Sequence, residues 1–290
     1  MQYQVRIIDA RSAQQRDQDF RLGRPAGNIM VLVPGHGQSV HGPKKLLAAA
    51  ARLSRSKIAW CIDPVPARGG DTVEGQAIAQ IVRAKISASF PAMERPAAAT
   101  IIGWSHGGAE ALHAAGSAPD LFPQYLGLCP TGLVHRSPQE LVGSFFLEST
   151  RTLWASVRQR DWTRLNDTLR LGANAGIGLA RDLGRSRSAR RLVEDIDWAG
   201  RKVSGGAYDY PGELVLLFGE QDTVVRWQDA FPKWSKSGQI GSSLSEYGRN
   251  AFPRAQRVEV RVVEGMHISP EVDAATFLRT GLGLLGQLEG

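Results

Sequence analysis

The chain has 290 residues, 42% of them apolar and 22% charged, and a formal net charge of +7. This length and composition allow a core large enough to offset chain entropy and exclude a wholly disordered protein. No apolar run approaches the roughly 18 residues that a membrane helix needs, and Met1 to Arg6 show no basic region leading into an apolar stretch, so no secretory signal is read and a cytoplasmic setting is expected.

Taken in order, Val5-Arg6-Ile7-Ile8-Asp9 and Asp19-Phe20-Arg21-Leu22 alternate loosely and are read as a hairpin. Ile29 to Val33 is a continuous apolar run ending in Pro34-Gly35-His36-Gly37, the pattern of a strand buried on both faces of a parallel sheet. Pro43 suits the first position of a helix carrying Leu46, Leu47 and Leu53. Ile58 to Ile62 is the next strand. Asp71 and Glu74 have capping-box spacing ahead of the apolar face Ile78, Ile81, Val82 and Ile86. Thr100-Ile101-Ile102 is a third strand, turned by Gly103-Trp104-Ser105-His106-Gly107-Gly108 into an alanine-rich helix, and Tyr125 to Cys129 is a fourth.

From about Ser137 to Ser204 the strand-like runs stop. Ser137-Pro138-Gln139-Glu140 places cap, first-turn proline and carboxylate in helix-starting order. An all-helical insertion over 136–205 is expected, splitting a core of 1–135 and 206–290, with Phe145, Phe146, Trp154, Trp162 and Trp198 available to pack onto a neighbouring domain. Arg151 to Lys202 holds twelve basic and six acidic residues, so nearly all the net charge sits there. Solvated helix faces account for such a segment; attraction of an anionic substrate, an acidic carrier protein or a membrane surface is the sharper reading. No aromatic-interleaved basic module points to nucleic acid. Leu214 to Phe218 and Val258 to Val263 resume the strands, and Ser269-Pro270-Glu271 starts a last helix. Alternating strands and helices imply an α/β fold, a doubly wound and mostly parallel sheet, with the insertion as a lid over its carboxyl edge.

The Gly103-Trp104-Ser105-His106-Gly107 segment lies between a β-branched strand and a small-residue helix, where a sharp turn lifts a serine hydroxyl above the sheet. Glycines are needed there because side chains would collide with neighbouring backbone. A serine hydroxyl needs a base, and the base an orienting acid. His267 lies between the last strand and last helix, at the same edge as Ser105; His36, His41, His106 and His135 compete with it, and His113 reads as structural. Leu217-Phe218-Gly219-Glu220-Gln221-Asp222 ends a strand with two carboxylates, of which Asp222 is chosen and Glu220 kept as a fallback. Neither phosphate-binding glycine spacing nor a His-Glu-x-x-His zinc motif is present, so no cofactor or metal is read.

The order Ser105, Asp222, His267 resembles that of the α/β-hydrolases over nearly the full chain, through the early His-Gly loop, the serine turn, the Gly-x-x-Asp turn and the late histidine. The resemblance implies a helical cap at 136–205 and an oxyanion hole built from the backbone N–H groups of His106 and Gln38. The 63–71 loop departs from the family's usual spacing, and Arg226-Trp227 stand where a proline is frequent. The family's strand order sets Cys61 and Cys129 about 14 Å apart, beyond disulfide reach, so both are expected as free thiols. A serine hydrolase acting on a small acyl substrate, with a carboxylester as the modal case, follows. Acyl transfer, thioester, lactone, amide or carbon–carbon cleavage, and a non-catalytic ligand receptor, remain open.

Overall fold

Among the described residues seven strands pair into one sheet, whose inner five are runs too short to bury themselves and too apolar to face water. The computed structural model describes residues 4–22, 25, 27–35, 43–63, 71–91, 98–133, 136–170, 172–173, 209–230 and 248–289. The strands are β1 (Gln4–Asp9), β2 (Ile29–Val33), β3 (Ile58–Asp63), β4 (Ala99–Trp104), β5 (Gln124–Leu128), β6 (Glu213–Gly219) and β7 (Arg257–Val263). They lie in the order β1-β3-β2-β4-β5-β6-β7. All neighbours are parallel except β1, which runs antiparallel to β3.

The sheet is covered on both faces, and side-chain alternation decides which helix meets which residue. Val31, Trp60, Ile101, Tyr125 and Leu216 point toward α3 (Asp71–Ser89) and α4 (His106–Ser117), meeting Ile78, Val82, Ala111 and Leu112. Their chain neighbours Leu32, Cys61, Ile102, Leu126 and Leu217 point the other way, onto Leu46 and Leu47 of α2 (Lys44–Leu53) and Phe277, Leu278 and Leu282 of the final helix. Cys61 of β3 and Cys129 just beyond β5 are separated by β2 and β4, and both are buried free thiols.

Three local expectations are corrected. Asp19 to Leu22 is not the second arm of a hairpin but the end of α1 (Ala13–Leu22). Ser12 and Gln15 close a reciprocal cap, Gln15 N–H donating to Ser12 Oγ and Ser12 N–H to Gln15 Oε1, so the chain turns into helix before any strand can form. Pro43 stands one residue before α2 rather than in its first turn, and α3 begins at Asp71 itself. The last helix is broken into α7 (Ser269–Val272) and α8 (Ala274–Leu284) at Asp273, with Ile268 rather than Ser269 at the cap position. Ser269 Oγ instead accepts the Met266 N–H at 2.7 Å, tightening the turn that carries His267.

Between β5 and β6 the described residues form α5 (Pro138–Arg158) and a helix α6 over 162–170. α5 starts with the expected capping box between Ser137 and Glu140. Its amphipathic sense is reversed. Leu141, Glu148, Thr152 and Ser156 are buried, on one face by their spacing, whereas Phe146, Leu147, Trp154 and Val157 are exposed, Trp154 at 73%. Of the aromatic residues expected to pack inward, Phe145 does so; Phe146, Trp154 and Trp162 do not, and Trp198 lies outside the described residues. α6 is fastened by charge. Lys45 pairs with Asp167, and Arg170 reaches the fully buried Glu271 at 3.0 Å. Glu271 also accepts the Lys45 and Leu46 N–H groups at the start of α2, at 3.1 and 2.9 Å.

Candidate active site

The turn from β4 into α4 places Ser105 at φ 54° and ψ −124°, a backbone conformation that costs energy for a residue with a side chain. Its neighbours fix it there. Ser105 N–H donates to Leu128 O at 3.1 Å, and Ser105 O accepts from Gly108 N at 2.8 Å and Thr131 N at 3.0 Å. A Cβ on Gly103 would lie 2.5 Å from Gly107 O, and one on Gly107 would lie 2.3 Å from Val33 O and Pro34 O. Glycine at these two positions is therefore what lets helix, turn and β2 close together.

The structure brings Ser105, Asp222 and His267 together. His267 Nε2 stands 2.7 Å from Ser105 Oγ, and His267 Nδ1 stands 3.0 Å from Asp222 Oδ2. The network assigns the tautomer: Asp222 can only accept, so Nδ1–H donates to it and Nε2 is left to accept the serine proton. Asp222 Oδ1 is occupied by the N–H groups of Val224 and Val225 at 2.8 and 2.7 Å, which fixes the carboxylate with Oδ2 aimed at the ring. Glu220, the fallback acid, is exposed one turn away. The acid turn and the histidine loop also hold each other directly, Glu220 N–H donating to Val263 O and Gln221 N–H to Gly265 O.

Burial alone would lower the pKa of His267, but the Asp222 charge and hydrogen bond, with a further contribution from Glu148, raise it above the ordinary 6.5. Cys129 completes a buried group with Asp222 and His267 whose ligand-type atoms all lie within 4.8 Å of one another. Burial and the Asp222 charge push its thiol well above the ordinary value, so with no cation beside it the group faces the pair as neutral S–H.

His106 is the first residue of α4, so its backbone N–H opens the helix beside the serine, and its ring lies 3.4 Å from Glu110. His113 is buried within α4. Gln38, the second expected oxyanion donor, lies outside the described residues, as do His36, His41, His135 and the 64–70 loop.

Two residues at this site went unrecognised in the sequence. Trp104 Nε1–H donates to His267 O at 3.2 Å, tying the serine turn to the histidine loop. Glu148 of α5 is buried against the loops that carry Asp222 and His267. Helical spacing from Leu141 through Glu148, Thr152 and Ser156 was visible, but apolar patterning argued for the opposite face.

Neither a protein-family model nor a curated protein sequence matches the chain. Solved structures do. An α/β hydrolase from a Medee basin deep-sea metagenome, MGS-M2, is 13% identical and superposes with a TM-score of 0.58 over 99% of this chain and 95% of its own. The meta-cleavage product hydrolase of Pseudomonas fluorescens IP01 is 14% identical, with a TM-score of 0.60 over 98% and 94%. A thermophilic esterase from Thermogutta terrifontis is 11% identical, with a TM-score of 0.57 over 98% and 92%. The chain has the α/β-hydrolase fold.

Proposed function

We propose that this chain is a serine hydrolase that cleaves a carboxylester-like bond of a small, partly apolar substrate through an acyl-enzyme on Ser105. The observation that carries the reading is the relay of two hydrogen bonds, 2.7 Å from Ser105 Oγ to His267 Nε2 and 3.0 Å from His267 Nδ1 to Asp222 Oδ2. Both are within the reach required of a nucleophile, its base and the base's orienting acid.

In the mechanism, His267 Nε2 takes the Ser105 proton as Oγ attacks the substrate carbonyl carbon. The carbonyl oxygen becomes an oxyanion, held by the His106 and Gln38 N–H groups, and the imidazolium is balanced by Asp222. The tetrahedral intermediate collapses with the C–O bond of the leaving group breaking, and His267 returns the proton to that oxygen. Water then attacks the acyl-enzyme, giving its proton to His267. Collapse of the second intermediate releases the acid and restores the Ser105 hydroxyl.

Residues 136–205 are read as a cap, a reading supported by α5 and α6, its described part, which contact the core, α6 through charges that meet α2 and α7. A reducing, cytoplasmic setting accords with two buried free thiols, and no described helix is long and apolar enough to cross a membrane. The test is hydrolysis of p-nitrophenyl esters of increasing acyl length by the wild type and Ser105→Ala. The expected outcome is turnover by the wild type with a chain-length optimum and a loss of at least about 10³-fold in the variant. Equal rates for the two proteins, or no turnover of any ester, would overturn the reading.

A further inference from the structure

The face of α5 turned toward the catalytic loops is polar at its centre. Glu148, 1% exposed, has no lysine or arginine partner among the described residues; it accepts from the loops of Asp222 and His267. Its Oε2 takes the Thr223 N–H at 3.0 Å and stands 3.3 Å from Thr223 Oγ1, and Oε1 takes the Ile268 N–H at 3.3 Å. Thr223 directly follows Asp222, and Ile268 directly follows His267. One carboxylate thus grips the acid turn and the base loop one residue beyond each catalytic side chain. One turn further along α5, Thr152 Oγ1 lies 2.9 Å from Glu148 O and 3.0 Å from Sδ of Met266, on the other side of His267.

A buried carboxylate is costly to desolvate, and a leucine here would pack with less penalty unless the acceptor atoms were needed. Resting on the triad reading above, we propose that Glu148 is a positioning residue, supplied by the inserted helix, that holds Asp222 and His267 in register and sets a second negative charge beside the imidazolium formed during turnover. Among the described residues, the titratable groups facing His267 are Asp222 from the acid turn, Glu148 from α5 and the neutral Cys129 thiol from the end of β5. Burial, with a smaller push from the Asp222 charge, raises the pKa of Glu148 while His267 opposes it, so proton sharing across this cluster depends on all three residues.

The experiment compares wild type, Glu148→Gln and Glu148→Ala in p-nitrophenyl butyrate hydrolysis, in the pH profile of kcat/KM and in the rate of fluorophosphonate labelling. The glutamine variant is isosteric but its amide nitrogen cannot accept, so one loop is released. It is expected to lose about tenfold in kcat with KM within about twofold, and the alanine variant about a hundredfold, as misplacement of a catalytic group does. Labelling should slow in parallel. Because the Glu148 charge favours protonated His267, its removal should move the acidic limb of the profile to lower pH, which loss of stability alone would not do. Glu148→Gln carries the test if the alanine variant does not fold. Wild-type labelling that proceeds equally fast in a folded Glu148→Gln, with the limb unmoved, would overturn the Glu148 proposal alone. A folded wild type that never labels would overturn the triad reading beneath it.

Discussion

Helices α4 and α5 both reach the edge of the sheet beside Ser105, yet the faces they bury there differ in chemistry. α4 is buried along nearly all of its length, and its alanines and glycines let it approach β2 and β4 within van der Waals contact. α5 buries Glu148, Thr152 and Ser156 and exposes Phe146, Leu147, Trp154 and Val157. Packing anchors α4, which follows Ser105, whereas α5 adds hydrogen bonds to the Asp222 and His267 loops to the apolar contacts of Leu141 and Phe145. A core helix belongs to the fold irrespective of chemistry; a helix that turns its polar side inward is placed by the site it touches.

The largest effect of a single substitution is expected in α4. Gly107→Ala puts a methyl group 2.3 Å from two backbone carbonyl oxygens that cannot yield without moving β2. No soluble folded protein is expected, or one destabilised by more than about 4 kcal/mol, as read by urea denaturation. A folded variant of wild-type stability would show that the turn is looser than described. The comparison is sharpened by truncating one apolar side chain on each helix. Leu112→Ala, inside α4, should cost about 2–5 kcal/mol, and Trp154→Ala, on the outer face of α5, should change stability by less than about 0.5 kcal/mol. Similar costs for the two would mean that the outer face of α5 is covered in solution.

Much of this was legible before any coordinates. Short apolar runs bounded by turn residues, such as Ile29 to Val33 and Leu214 to Phe218, read as buried parallel strands, and they appear as β2 and β6. The Ser105 turn was readable because its glycines answer a steric demand that the geometry now expresses in distances. That Asp222 and His267 would lie beside Ser105 was readable from chain order. What escaped was set by tertiary context. The α1 helix hid behind a chance alternation at Asp19 to Leu22, although Ser12 and Gln15 carried its cap. Glu148 escaped because a glutamate amid Phe145, Phe146 and Leu147 looks solvated, and only the reversal of α5 brings it inward. The aromatic residues of the insertion were expected inside for the same reason, and three of the four described ones lie outside.

The proposed function requires that the geometry at Ser105 make a nucleophile. Intact-mass analysis after exposure to a fluorophosphonate, with peptide mapping of the adduct, tests this without knowledge of the substrate. A single adduct on Ser105 in the wild type, absent from Ser105→Ala, is the predicted result. A folded wild type that stays unmodified, or an adduct mapped to another residue, would contradict it.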